Sequence, residues 1–589
     1  MVIEVFLEMM RDSTLTTVAL LAAYTQDNRR HYLDLFIPFI KYCCPKSVGT
    51  RFTWQDIQSK MRDEFGIADM PKKIIETVIR RQGKHECPIA RKERDSFVVV
   101  CEHSNETFER ERNNMQEEVD YATKRLQEYI AETIWKDKIK LNAKQLLLAF
   151  FNDYGLTTLS EAENISVIPP SDLDRYVVAR FIQNAEQNDK PLFQSLCSIT
   201  KGFLAYRAIY QIDDGDKRDS SSRLRGVYAF LDCALVIDYL GYDEPQSKSA
   251  TTQLVEMLRK NGCNVCVFTH TIEEAQQLLM SYADSENKAS FRLSGLKRMH
   301  FSNSLVRGEA FKIEKELRNH GIGVYDAMEK SILPYKEEYA QSVQEYLRSQ
   351  DSFNRGIRSC EYDCASMRGI IAFRKGRSPQ CIEDCRAILI TKEKRLAYDV
   401  KKNVHAYEVA LAKLDVDIAA LLWLQNFTES EGFPKEWLLC CAAASTTMSD
   451  DLRKKACEYI KRWEDDGKYE PTTIAHMRSD NLDELFIVTK TGNDPDLFTE
   501  SVMDAYVMER CKTTIDAQIE AAVQQVNAEK EQEIEKSREE GVLEESEKIR
   551  RSVARRIDDT ARKRASKCRK IISTMVVGIE VMIFLCGAI

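Results

Sequence analysis

The sequence predicts a multidomain, mainly helical protein whose central third holds an α/β/α domain with a parallel sheet. Apolar runs at 227–231, 263–268 and 387–391 have the length of buried strands, and the first two lead directly into amphipathic helical segments. Strands that alternate with helices are typical of a parallel sheet covered by helices. The chain has 589 residues, which at about 150 residues per domain leaves room for further domains on both sides.

The composition excludes some classes of function. The net charge of −8 gives no global basic field, so contact with nucleic acid would need a local basic patch. Glycine is scarce, with 22 residues, and the chain has neither a GxxxxGK[ST] phosphate loop nor a GxGxxG turn after a strand. The 18 cysteines are spread through apolar runs, as expected for reduced thiols of a cytoplasmic protein.

The N-terminal region predicts a helix followed by a small domain. Residues 1–30 contain an apolar stretch that suits a packed helix better than a signal peptide. Residues 31–102 contain three helical patterns and then a strand, at 35–40, 53–61, 70–81 and 96–101. Thr53 is placed to cap the second helix, and Pro71 lies in the first turn of the third. This order resembles a winged helix.

The third helix of this small domain is basic, through Lys72, Lys73, Arg80 and Arg81. Cations on such a helix would bind the phosphates of a nucleic acid. Winged helices also serve as protein-docking modules, so nucleic-acid binding and docking are both open.

The flanking and C-terminal regions are predicted to be helical. Helical regions are expected at 103–222 and 431–513. Residues 514–570 carry dense mixed charge and almost no Gly or Pro, which predicts a long solvated helix or coiled coil that could support self-association. Residues 571–589 are apolar over about the length of a bilayer-spanning helix and follow a basic flank, so a membrane anchor with the globular part in the cytoplasm is expected. Glu580 would need a partner or a proton within the bilayer.

Four acidic residues stand at strand ends and helix starts of the central domain. Asp232 ends the first strand, and Glu274 lies early in the helix after the second strand, where it could complete a capping box. Asp363 leads a helical segment, and Glu393 closes the Thr391-Lys392-Glu393 run after the third strand. Each acid alone is more often a helix cap or a solvated side chain. Their joint order is the informative feature, and it resembles that of the PIN-domain nucleases.

The resemblance covers about 223–430 and implies an α/β/α sandwich that hydrolyses phosphodiesters. It implies that Asp232, Glu274 and Asp363 bind one or two Mg²⁺ or Mn²⁺ ions, and that Glu393 joins them in catalysis. Hard divalent cations prefer such oxygen ligands. The substrate that it implies is nucleic acid, with RNA favoured over DNA.

The chain departs from the family pattern at several places. The distance from Glu274 to Asp363 in sequence predicts a helical insertion at about 291–355. Glu393 stands where the family has an aspartate. Asp384 competes with Asp363 for the third acidic position, and Asp417 either caps the helix that it heads or joins the cluster.

The expected function is therefore that of a membrane-anchored, metal-dependent nuclease acting on RNA or single-stranded nucleic acid. Two other functions are open. One is a catalytically inactive PIN-like scaffold or regulator at the membrane, and the other is a DNA-binding regulator that works through the winged helix. Convergence of the carboxylates of Asp232, Glu274 and Asp363 would favour the nuclease.

Overall fold

The computed structural model describes the chain in fourteen segments, which are 2–25, 32–67, 70–85, 88–155, 170–209, 224–291, 293–299, 301–327, 334–351, 357–379, 381–402, 408–425, 432–478 and 484–586. The chain divides into two compact units, Met1–Met503 and Asp504–Ile589. It is mainly helical, with a parallel sheet in the first unit, as the sequence predicts.

Within the described residues the α-helices are α1 (Val2–Thr25), α2 (Ile37–Cys43), α3 (Trp54–Phe65), α4 (Lys72–His85), α5 (Glu106–Glu132), α6 (Ala143–Gly155), α7 (Asp172–Asn188), α8 (Lys190–Ile209), α9 (Cys233–Leu240), α10 (Pro245–Lys260), α11 (Thr269–Asp284), α12 (Ser294–Met299), α13 (Asn303–Asn319), α14 (Pro334–Asp351), α15 (Ile357–Arg374), α16 (Lys394–Lys402), α17 (Asp415–Gln425), α18 (Phe433–Thr446), α19 (Asp450–Asp465), α20 (Pro471–Arg478), α21 (Glu484–Thr491) and α22 (Glu500–Cys586). The strands are β1 (Arg51–Phe52), β2 (Ala90–Glu93), β3 (Ser96–Val99), β4 (Tyr228–Leu231), β5 (Asn264–Phe268), β6 (Gly323–Tyr325), β7 (Ala387–Thr391) and β8 (Ala412–Leu414).

The small N-terminal domain forms the helices and the strand expected from its sequence. The strands β1, β3 and β2 pair antiparallel in that order beside α2, α3 and α4. Thr53 caps α3 through a capping box, because its hydroxyl accepts from the Asp56 amide and the Asp56 carboxylate accepts from the Thr53 amide at 2.7 Å. Gly66 ends α3 in the left-handed region, with φ of 65°.

The first helix is packed against the rest of the unit, as predicted for residues 1–30. α1 lies along α8, and the two backbones meet at Gly202. A Cβ atom at Gly202 would lie 1.7 Å from the carbonyl oxygen of Val18, so only glycine permits this approach. Tyr206 on α8 also donates a buried hydrogen bond of 3.0 Å to the carbonyl of Gly66.

The central sheet is parallel throughout its described strands, in the order β6-β5-β4-β7-β8. The chain runs outward from β4 through β5 to β6 and then crosses back to β7 and β8 on the other side of β4. The direction of winding therefore reverses between β4 and β7. In open parallel sheets this reversal leaves a crevice at the carboxyl ends of the strands, where ligands bind.

Helices cover both faces of the sheet because its side chains alternate. Phe230 and Leu389 point into a core with α14, α15 and α16. Their neighbours Leu231 and Ile390 belong to the opposite core, which includes residues of α9, α10, α11 and α17 and continues into the N-terminal helices. On the first face, Phe230 stacks on Phe268 with ring centroids 3.9 Å apart.

The predicted insertion at 291–355 is wrong in part. The segment contains α12, α13 and α14, but it also contains β6, which pairs with β5 at the edge of the sheet. Much of this segment thus belongs to the sheet and the helices of the domain itself. The strand is short and begins at a glycine, so it lacks the long apolar run that signals a buried strand.

From Asp504 onward, α22 forms the second unit as a continuous helix that ends at Cys586. Ion pairs one turn apart support it, including Lys548–Glu544 at 3.3 Å and Arg562–Asp558 at 3.1 Å. No helix of the described chain is both long and apolar enough to cross a membrane. The segment 571–589 is helical to Cys586, residues 587–589 lie outside the described residues, and its anchor role stays a prediction.

Candidate active site

Asp232 is fixed at the point where the winding of the sheet reverses. It follows β4 directly and caps α9, with one carboxylate oxygen accepting from the amide of Cys233 at 2.8 Å. The other oxygen accepts from the hydroxyl of Thr391, at the end of β7, at 2.6 Å. Capping needs only the first of these bonds. The second ties the carboxylate to the neighbouring strand and sets its orientation.

Thr391 also connects Asp232 to Glu393. The Thr391 side chain is fully buried, and its oxygen accepts from the Glu393 amide at 2.9 Å while its hydroxyl donates to Asp232. Glu393 is exposed, stands just before α16 and lines the same cleft as Asp232. The Thr-x-acid pattern of the sequence therefore has a direct structural role.

Glu274 reaches the same edge of the sheet from α11. Its carboxylate hydrogen-bonds the thiol of Cys233, the first residue of α9. Burial raises the pKa of the Cys233 thiol well above its usual value, and the charges of Glu274 and Asp232 raise it further. Both carboxylates therefore face one protonated thiol at the carboxyl edge of the sheet.

The capping-box expectation for Glu274 is wrong. α11 begins at Thr269, earlier than the sequence suggested, and no side chain caps it. Glu274 thus lies beyond the capping positions, and helix capping does not explain its presence here.

Asp363 approaches the cleft from α15 on the other face of the sheet. It is half-buried and lies within the helix rather than at its start. The neighbouring Tyr362 stacks on His270, and the His270 ring bonds the hydroxyl of Ser366 at 2.8 Å, which joins α15 to α11. Burial lowers the pKa of His270 to about 4, so this histidine is neutral at pH 7 and adds no cation.

These residues line one cleft of about 750 Å³. Its described lining is rich in carboxylates, which are those of Asp232, Asp238, Asp243, Glu274, Asp363, Glu393 and Asp415. The ammonium groups of Lys392 and Lys394 also line it. The cleft is therefore strongly acidic and would repel a polyanion unless cations accompanied it.

A buried charge cluster that the sequence did not predict lies in the same cleft. Lys392 forms an ion pair with Asp238 of α9, and it also acts on Asp415, which directly follows β8. Burial opposes the charge of Lys392, but the carboxylate of Asp238 outweighs that effect, and the pKa of Lys392 is raised. Burial likewise raises the pKa of Asp415, while Lys392 lowers it. A strand that ends on an aspartate, as β4 does, was the available signal for Asp415.

Two of the predicted acids do not reach the cleft. Asp384 lies in the turn before β7, at the amino edge of the sheet, and accepts from the Cys381 thiol at 3.3 Å. Asp417 is buried within α17 and pairs with Arg207 of α8 at 2.6 Å. Its function is structural, because it joins the sheet domain to the N-terminal helices.

The predicted nucleic-acid-binding residues on α4 do not share one environment. Lys72, Lys73 and Arg80 are exposed. Arg81 is held by Asp34 through bonds of 2.7 and 3.2 Å, and Asp34 is only 3% exposed. Arg81 therefore anchors α4 to the preceding segment and is a poor candidate for a phosphate contact.

The donor set of the cleft suits a hard divalent cation only in part. Among the described residues, no three His, Cys, Asp or Glu side chains are grouped so that they could hold one ion. Mg²⁺, however, usually keeps several waters and needs only one or two carboxylates beside substrate phosphates. Asp232 and Glu274, which both face Cys233, supply such a pair.

Comparison with known proteins gave no relative of this chain. No protein-family model matches it, and no curated protein or solved structure matches it either. Its function is therefore argued from the chemistry of the cleft.

Proposed function

We propose that this chain is a PIN-like, divalent-metal-dependent nuclease that cleaves phosphodiesters of RNA or single-stranded nucleic acid in the acidic cleft. One observation carries the proposal. Asp232, directly after β4, and Glu274, on α11, both act on the Cys233 thiol at the carboxyl edge of the parallel sheet, and Asp363 and Glu393 line the same cleft. This edge is where parallel sheets bind ligands.

Asp232 and Glu274 would hold the Mg²⁺ or Mn²⁺ ion, and Asp363, on the lining of the same cleft, is the third predicted ligand. A bound ion of this kind lowers the pKa of a water molecule and neutralises charge that develops on the phosphate. The ion would also be needed for binding, because the acidic lining repels the phosphates of the substrate. We therefore expect nucleic-acid affinity in the cleft to depend on divalent cations.

The protein's own groups orient the carboxylates. The Thr391 hydroxyl and the Cys233 amide each hold one oxygen of Asp232, so the carboxylate cannot turn away from the cleft. The Cys233 thiol stays protonated at neutral pH because its pKa is raised, and it can donate to Glu274. Such preorganised ligands reduce the reorganisation that binding requires.

Cleavage of a mixed RNA and DNA pool by the full-length protein tests the proposal. With Mn²⁺, we expect strand scission that Asp232→Asn and Glu274→Gln each reduce by at least about tenfold, since even loss of a group that only orients a metal ligand typically costs about 10–100-fold. Asp384→Asn is the matched control, since Asp384 is an exposed acid at the opposite edge of the sheet. The proposal fails if the wild-type protein leaves the pool intact, or if Asp384→Asn is as inactive as Asp232→Asn.

Thermal stability gives a second readout that needs no substrate. A ligand that binds only the folded state adds RT ln(1 + [L]/Kd) to the free energy of unfolding. This is about 1.4 kcal/mol when the Mn²⁺ concentration exceeds its Kd tenfold. We expect Mn²⁺ to raise the melting temperature of the wild type and of Asp384→Asn but to leave Glu274→Gln unchanged. An equal rise in all three proteins would place the ion elsewhere.

A catalytically inactive PIN-like scaffold is the second candidate function. The absence of any three-ligand group among the described residues favours it. In that case the acidic cleft binds a protein partner, and Mn²⁺ has no effect on cleavage or on melting. Both candidates include attachment to a membrane through 571–589, which flotation with vesicles tests. Both also include self-association through 514–570, which sedimentation of the full chain tests.

A DNA-binding regulator is the third candidate, because α2 to α4 and the β1-β3-β2 sheet follow the order of a winged helix and Lys72 and Arg80 are exposed. It predicts steeply salt-dependent binding to duplex DNA. The Lys72→Ala, Arg80→Ala double variant should abolish that binding. Unchanged binding by the double variant would exclude this surface.

A further inference from the structure

Part of the lining of the acidic cleft is apolar. These described side chains come from α10, α11, α17 and α18 and include Leu254, Leu278, Ala419, Phe433 and Trp437, and we call this part of the cleft the apolar compartment. None of these side chains can bind a metal ion or a phosphate. The proposed chemistry therefore leaves part of a continuous cavity of about 750 Å³ without a role.

Two aromatic side chains of α18 belong to the wall of this compartment. Phe433 is only 1% exposed, and its ring centroid lies 6.1 Å from that of Trp437, with the two rings tilted by 31°. Trp437 is half-buried and lines the cleft. An aromatic side chain in the wall of a cleft can stack with another planar group.

A few polar groups lie on the α10 wall of the same compartment. The hydroxyls of Ser247 and Thr251 line the cleft, and Ser247 lies 3.8 Å from the thiol of Cys440 on α18. Sites for small planar ligands combine such apolar walls with a small number of polar groups. An acyl chain, in contrast, has no groups that could form hydrogen bonds with these hydroxyls.

We infer that the apolar compartment seats one unstacked nucleobase of a single-stranded substrate, next to the phosphate held at Asp232 and Glu274. The inference rests on the proposed nuclease function, since that function supplies the phosphate. A base in this compartment stacks on Trp437 and can bond the hydroxyls of Ser247 and Thr251. A duplex keeps its bases paired and stacked, so it would first have to extrude one at a cost in free energy. The compartment thus selects single strands.

Binding of two matched oligonucleotides tests the inference. One is a labelled oligothymidylate of about twelve nucleotides, and the other is an abasic strand of the same length. Fluorescence anisotropy measures the binding of each strand to the full-length protein in the presence of Ca²⁺. Contacts to the backbone, including any made by α4, are equal for the two strands. We expect the wild type to bind the strand with bases about tenfold more tightly, which is typical of one stacked base.

Variants of Trp437 locate the effect. Trp437→Leu keeps an apolar side chain but removes the aromatic face, so it should lose the tenfold preference and keep its affinity for the abasic strand. Trp437→Phe should retain most of the preference and guards against loss of the fold. Phe311→Leu is the control, because Phe311 is 73% exposed on α13 and does not line the cleft.

Equal binding of the two strands by the wild type overturns the inference, as does a preference that survives in Trp437→Leu. The two proposals fail separately. If the protein never cleaves but shows a Trp437-dependent preference for bases, the nuclease is rejected and the base-binding compartment stands. If it cleaves both strands equally well and Trp437→Leu changes nothing, only the compartment is rejected.

Discussion

Replacing Lys392 with methionine removes the ammonium from the buried charge cluster of the cleft and keeps a side chain of similar length. Asp238 is 3% exposed and Asp415 7% exposed, and 31% of the Lys392 side chain is exposed. Removing one partner of a buried pair costs about 3–5 kcal/mol, because the remaining charge is uncompensated. Since 31% of the Lys392 side chain is exposed, we expect the lower figure, about 3 kcal/mol at pH 7.

The pH dependence of this loss has a definite sign. Burial raises the pKa of Asp415, and Lys392 acts against that rise. Without Lys392, the pKa of Asp415 in the folded state moves further above its unfolded value of about 3.9. The free energy of unfolding is therefore reduced above that pH, and it recovers as acid protonates the Asp415 carboxylate. In the wild type the raised pKa of Lys392 means that its own contribution is complete below about pH 10.4 and is lost only above it.

Urea denaturation at pH 7 and pH 4.5 measures the free energy of unfolding, and amide exchange in α9 and α17 shows whether the loss is local to Asp238 and Asp415. Lys394→Met is the matched control, since Lys394 is exposed on the rim of the same cleft and should cost no more than about 0.5 kcal/mol. A loss below about 1 kcal/mol in Lys392→Met, or an equal loss at both pH values, would refute the reasoning.

Two further predictions concern the N-terminal helices. Gly202→Ala should lower the free energy of unfolding by about 3 kcal/mol, because the new Cβ would lie 1.7 Å from a carbonyl oxygen of α1. Gly308→Ala on α13 is the control, because the new Cβ there has open space and should raise the free energy of unfolding by about 0.5–1 kcal/mol. Urea denaturation compares the two variants, and equal stabilities would exclude the close helix crossing. Arg81→Ala should cost about 3 kcal/mol, because it removes one partner of a buried ion pair. Arg80→Ala should change stability by less than about 0.5 kcal/mol, because Arg80 is exposed, and a similar loss in both variants would show that the pair contributes little.

The central strands of the sheet could be predicted from sequence because burial on both faces makes them continuously apolar. β4, β5 and β7 are of this kind. The edge strands β6 and β8 could not, since each has only three residues and neither contains a long apolar run. A short edge strand forms because it pairs with the strand beside it, and this tertiary contact cannot be read from the local sequence.

The site was predictable where a residue's position in its own element decides its role. Asp232 ends a strand, and its place at the edge of the sheet follows from that alone. Membership of Asp417 in the acidic cluster, which the sequence left open, was wrong for the converse reason, and Asp415 was not recognised. Both begin α17, but Asp415 directly follows β8 and faces the cleft, whereas Asp417 points to Arg207, some two hundred residues earlier. Arg81 was misjudged in the same way, because its partner Asp34 lies on another element.

Of the cleft residues, Glu274 argues more strongly for function than Asp232 does. Asp232 has a structural task, since it caps α9, and a capping aspartate is common at the end of a strand. Glu274 caps nothing, and its carboxylate stands half-buried beside a second carboxylate and a thiol whose pKa is raised. Like charges placed together in a cleft cost stability, and such an arrangement persists where a bound cation or substrate uses it. If the cleft has no such ligand, Glu274→Gln should make the protein more stable, and neither the wild type nor the variant should melt at a higher temperature in Mn²⁺. A rise in the wild type that is lost in Glu274→Gln therefore separates a nuclease from an inactive scaffold.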